Sequence, residues 1–122
     1  MSFVLIPFLL LFSILETGNA PQLQTPAAKY FIVIFSLGPQ WDHKKPANEQ
    51  TGMSEHSANL QKLRKDGTIA IGARYSDKGM IIIKADSIDS ARGLFSSDPM
   101  VKADVFTMEV HEWKPFYKGI VE

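Results

Sequence analysis

The sequence predicts an α+β domain of order β-α-β-β-α-β, an antiparallel sheet with two helices on one face. Three observations carry this. Residues 30–37, 68–76, 80–85 and 105–113 are runs of β-branched and aromatic residues with strand character. Between them, the stretch from Ser54 to Gly67 and the stretch from Ser87 to Asp98 bring apolar residues round at helical spacing. Gly, Pro and Asp punctuate every join.

The elements follow in order. YFIVIFSL, 30–37, is apolar at nearly every position, which suits a strand covered on both faces, and Gly38-Pro39 ends it. Residues 38–53 show no period and hold two Pro and two Gly, as expected of a lid or binding loop. Ser54 is a candidate N-cap for the first helix, whose stripe is Leu60 and Leu63, and Gly67 suits its left-handed end. TIAIGARYS, 68–76, alternates Ile69 and Ile71 into a strand; Asp77-Lys78-Gly79 supplies a hairpin turn, and MIIIKA, 80–85, returns. Asp86 or Ser87 can cap the second helix, with Ile88, Ala91, Leu94 and Phe95 on one face until Asp98-Pro99 breaks it. Phe106, Met108 and Val110 point inward from the last strand. This is the ferredoxin-like, split βαβ plan. Its sheet has an open face to cover. Trp113, Phe116 and Tyr117 are apolar surplus suited to a homodimer packed sheet on sheet, or to a flap over the chain's own sheet.

The 122 residues fit one domain, and at 45% apolar they can build a core without disulfides. There is no cysteine, which excludes thiolate chemistry and Cys-based metal sites. Thirteen basic residues balance thirteen acidic ones, and the short runs at 43–45 and 62–65 read as solvated surface rather than a nucleic-acid footprint. The three histidines, His43, His56 and His111, have neither HxH nor HxxxH spacing, so no metal site is expected. No phosphate-cradling glycine loop and no G-x-S-x-G elbow occur. MSFVLIPFLLLFSILETGNA, 1–20, is too short in its apolar run to span a bilayer and resembles a signal peptide ending at Gly18-Asn19-Ala20, although it lacks a basic start. The expected organisation is a signal peptide at 1–20, a linker at 21–29, a domain at 30–119 and a tail at 120–122. The mature protein would be exported, periplasmic or secreted, with no membrane attachment after processing.

His56 is the residue that asks for an explanation. At helical spacing it shares the buried stripe of Leu60 and Leu63, one turn before them. The positive end of the helix and burial both disfavour an imidazolium there, whereas a neighbouring carboxylate favours it and fixes the tautomer. A neutral, oriented imidazole facing a cavity is what a general base needs. On the residues alone, a histidine hydrogen-bonded in the core to Asp98 or a backbone carbonyl, and doing no chemistry, is the plainer reading.

A set of motifs sharpens this. His56-Ser57-x-Asn59-Leu60-x-x-Leu63, Gly67, Gly72, Asp77-x-Gly79, Asp98-Pro99-x-Val101 and Trp113-x-Pro115-Phe116, in this order, resemble the YciI-related (YCII) domain family over residues 29–119. The resemblance implies a dimeric α+β barrel of ferredoxin-like topology and an active site with a His and an Asp. It implies reactions on small cyclic or aromatic compounds, such as dehydrochlorination of a hydroxyquinone, without a cofactor. The family histidine falls on His56 and the Asp-Pro carboxylate on Asp98, with Asp77 as the other candidate partner.

The function expected is therefore a small cofactor-independent lyase or isomerase. Asp98 would orient His56, and His56 would take a proton from a hydroxylated or acidic-carbon substrate. Arg74 could hold an anionic substrate group, and Trp41 on the long loop could close over it. Each has a plainer reading: Asp98 as a turn former before Pro99, Arg74 as a solvated residue, Trp41 as an anchor for its loop. The alternative function is a non-catalytic dimeric module that binds a small ligand or assists other proteins. The partners expected are a second copy and a small molecule.

Overall fold

The computed structural model describes residues 28–120 and, before them, Gly18, Ala20 and Pro21. The expected signal peptide and most of the linker lie outside the described residues. Among those described, no helix is long and apolar enough to cross a membrane.

Four strands, β1 (Lys29–Leu37), β2 (Ile69–Tyr75), β3 (Lys78–Ala85) and β4 (Phe106–Glu112), form one antiparallel sheet in the order β2-β3-β1-β4. Helix α1 (Met53–Lys65) joins β1 to β2, and α2 (Ile88–Gly93) with a short α3 (Pro99–Lys102) joins β3 to β4. This is the expected ferredoxin-like α+β plan with one addition. The second crossover breaks into two helices because Asp98-Pro99 starts a new one instead of merely ending α2.

The core lies between the sheet and the helices. Phe31, Val33 and Phe35 of β1, Ile81 and Ile83 of β3 and Val110 of β4 meet Leu63, Ala91 and Phe95 there, all buried. The other face of β1 is only half-buried at Ile32 and Ile34, so among the described residues this strand is not covered on both faces. Its neighbours on that open face include Ile71 and Tyr75, 41% and 44% exposed, around a buried Ile82.

Three local details differ from the sequence reading. Gly52, not Ser54, precedes α1, at φ 84° and with no side-chain cap. Without a Cβ it packs tightly on the start of α3: an added Cβ would lie 3.2 Å from Met100 Cγ and 3.3 Å from Met100 N. The hairpin turns at Ser76-Asp77, with Ser76 at φ 51°, so Lys78 and Gly79 already belong to β3. A bulge between Ile69 and Ile71 shifts the register of β2. Ile69 pairs with Ile83 toward the core, but Ile71 pairs with Ile82 on the open face. The strand expected from their alternation forms, and the bulge puts the two residues on opposite faces of it. Gly67 closes α1 at φ 83° and the Ser87 hydroxyl accepts from the Ser90 amide, as expected of these residues.

Candidate active site

Asp98 is set by its own backbone. It caps α3, accepting the Met100 amide on Oδ1 at 3.0 Å, while Pro99 fills the first helical position. The other carboxylate oxygen, Oδ2, meets His56 Nδ1 at 2.6 Å. An ionised carboxylate only accepts, so Nδ1 carries the hydrogen and donates, and the lone pair of the neutral ring is on Nε2. Asp98 is 3% exposed and His56 5%, so the contact is shielded from bulk water. The close seat of Gly52 on Met100 brings the first turn of α1 to Asp98.

The imidazole is wedged between aromatic edges. Phe35 meets it at 5.0 Å between centroids and 88°, and Phe106 at 5.2 Å and 69°. On its outer side His56 lines a cavity of about 610 Å³ that opens between α1, the β2–β3 hairpin and the long loop. No buried side-chain nitrogen or oxygen among the described residues lacks a partner, and Asp98 is the only hydrogen-bond partner of the ring there. Nε2 is therefore the atom left for the cavity.

Asp98 stands behind His56 and does not line this cavity, whereas Trp41, Arg74 and Asp77 do. The carboxylate that pairs with His56 is thus Asp98, and Asp77 lies across the cavity on the hairpin. Arg74 takes part in none of the ion pairs among the described residues. His43 and His111 are exposed, His111 within 3.7 Å of Glu109. No group of three or more His, Cys, Asp or Glu among the described residues is placed to share a metal ion.

The loop at 38–52 is ordered by a residue that the sequence reading missed. Gln50 is buried and uses its whole amide. Its Oε1 accepts from Asp42 N at 3.0 Å, and its Nε2 donates to Asp42 O at 2.7 Å and to Lys45 O at 3.1 Å. That bracket holds Trp41 against Phe106, with rings 5.7 Å apart and 16° from parallel, as one wall of the cavity. Its only sequence signal was a polar residue just ahead of a helix start, which is too common to single out.

Residues 36–114 match the YCII-related domain. The chain belongs to the YCII-related domain family. The match covers the end of β1, both crossovers and β4, and so contains His56 and Asp98. No curated protein matches the chain. Among solved structures, this YCII-related chain is similar to the 5-chloro-2-hydroxyhydroquinone dehydrochlorinase TftG of Burkholderia phenoliruptrix, in complex with 2,5-dihydroxybenzoquinone. Identity is 22% and TM-score 0.44, over 69% of this chain and 93% of that one.

Proposed function

We propose that this YCII-related protein is a small cofactor-independent enzyme of the lyase or isomerase type, acting on a small cyclic or aromatic compound by general-base catalysis. The observation that carries this is the 2.6 Å His56–Asp98 contact placed with the imidazole, and not the carboxylate, at the cavity wall. Asp98 holds the ring in the tautomer whose Nε2 can accept a proton. Nε2 takes a proton from a ring hydroxyl or an acidic carbon. The electron pair so released expels a leaving group from the same ring, chloride for example, or moves a double bond. After expulsion of the leaving group the proton passes from His56 to solvent; after a double-bond shift His56 returns it to the ring at the new position. The aromatic wall of Phe35, Phe106 and Trp41 excludes water from one side of the substrate.

The test is turnover of chlorinated hydroxyhydroquinones, read as chloride release, together with exchange of ring C–H for deuterium in heavy water. The wild-type chain should give one or both, and His56→Gln should lower the rate by about 100-fold to 10,000-fold. Equal rates in wild type and His56→Gln would sink the reading. Ligand binding with no turnover in either would favour the binding module.

The protein is further proposed to act as a homodimer. Ile32, Ile34, Ile71, Tyr75 and Met80 share the open face of the sheet, and Phe116 and Tyr117, 90% and 86% exposed, do not fold back over it. Sedimentation should give twice the chain mass, falling to one with Ile71→Lys and Tyr75→Lys together; a monomeric wild type overturns this. Export is proposed from residues 1–20, and expression with a periplasmic fractionation tests it, since cytoplasmic retention of the full chain would count against it.

A further inference from the structure

On the helix-covered face of the sheet one row of residues crosses all four strands: Met108 on β4, Phe35 on β1, Gly79 on β3 and Arg74 on β2. Phe35 lies against His56, and Arg74 stands two strands away. At a strand spacing of about 4.8 Å, the two are roughly 10 Å apart. The position between them is empty. A Cβ added at Gly79 meets nothing within 4 Å, and the next row places Gly72 beside Ile81 on the same edge. The cavity therefore has a flat floor of backbone, with His56 at one side and Arg74 at the other; Phe35, His56, Gly72, Gly79 and Arg74 line it.

Arg74 reaches this face only through the bulge in β2. With unbroken alternation from Ile69, the inward positions would be Ile71, Ala73 and Tyr75; the extra residue sends Gly72 and Arg74 inward instead. The other cation of the cavity wall, Lys78, is engaged elsewhere, donating to Ser36 Oγ at 2.9 Å. Arg74 is exposed at the cavity mouth and has no ion-pair partner among the described residues; Asp77 lines the same end without pairing with it, and the rest of the wall is mostly apolar. A guanidinium so placed matches the two oxygens of a carboxylate or an equivalent delocalised oxyanion.

We propose that the ligand of this cavity is a planar, single-ring hydroxylated anion. Its ring lies on the backbone at Gly79, its anionic group is held by Arg74, and its hydroxyl faces His56. Gly79 and Arg74 are then specificity-determining residues. This rests on the reading of the His56 cavity as the functional site, and adds the substrate class.

Calorimetric titration with 2,5-dihydroxybenzoate and with hydroquinone, which differ by the carboxylate, tests it. The wild-type chain should bind the acid saturably and more tightly than hydroquinone. Arg74→Gln should weaken the acid about 10-fold to 100-fold and leave hydroquinone unchanged. Gly79→Val should abolish binding of both while the circular dichroism spectrum and melting temperature stay those of a folded chain, because the new side chain enters open space. The proposal is overturned if wild type does not bind the acid, if Arg74→Gln keeps the preference, or if Gly79→Val binds as wild type does. Failure of turnover with these preferences intact counts against the proposed chemistry alone and supports the ligand class.

Discussion

His56 and Asp98 are 42 residues apart in sequence, yet meet at 2.6 Å, and the carboxylate that receives the imidazole is already anchored by the Met100 amide. One oxygen ends a helix and the other orients a ring. The carboxylate has no rotational freedom to spend on either task, which is how a short contact can set a tautomer.

Asp98→Asn should therefore invert the ring. The amide can still offer its oxygen to Met100 N, but then turns its NH₂ toward His56 and makes Nδ1 the acceptor. Nitrogen NMR of the imidazole should show the hydrogen moved to Nε2, and turnover should fall about 100-fold or more. An unchanged tautomer would mean that Asp98 does not orient the ring. Asp98→Ala removes both the cap and the partner, and urea unfolding should show a loss of about 3 kcal/mol or more.

Gln50→Leu should loosen the long loop. It strands the Asp42 amide and two carbonyls that the side-chain amide now satisfies. A loss of about 1–3 kcal/mol is expected. In a Trp113→Phe background, Trp41 fluorescence should shift to the red as its stack on Phe106 opens. Unchanged emission would show that Trp41 holds its place without the bracket.

Gly38→Ala should destabilise the chain. An ideal Cβ there falls 2.1 Å from the carbonyl oxygen of Asp104, which is backbone and cannot swing aside. The Gly38 amide also donates to Val105 O at 2.9 Å, so relief of the clash strains a hydrogen bond that closes β1 on the start of β4. A lowered melting temperature, by about 2 kcal/mol or more in stability terms, is expected. A melting temperature equal to wild type would mean that the two segments separate freely.

The acid limb of stability should carry a contribution from Asp66. Hydrogen bonds from the Thr68 side chain and amide, beyond the end of α1, hold its carboxyl below the usual carboxylate range. A depressed folded-state value means that the charged form is favoured by folding. The stabilisation is complete above the ordinary Asp range and is lost as pH falls through the lowered value. Asp66→Asn should lower the melting temperature slightly at neutral pH and flatten its fall with acid, so that variant and wild type converge below that window. A parallel acid limb in the variant would contradict this.

The element order was legible because it depends on local periodicity. β1 and β4 show their apolar positions directly, and Ser87 and Gly67 end their helices for reasons written in one or two residues. Ser54 was misread because a good capping residue stood two places from the glycine that the packing of α3 required. The strand at Ile69 and Ile71 is present, but the faces its residues take were not legible, for a related reason. A bulge adds a single residue and leaves no mark in composition, and only the partner strand shows that the alternation has slipped.

By itself, then, the sequence determined the β-α-β-β-α-β plan, the absence of thiol chemistry and the presence of an unexplained histidine on a leucine stripe. These follow from side-chain type and spacing along the chain. The tertiary structure alone decided which carboxylate meets His56, which of its nitrogens faces the cavity, and which face of β2 carries Arg74. Each of these depends on contacts between segments far apart in sequence. A helix start pressed on Met100 by a glycine and a strand slipped by one residue settled them.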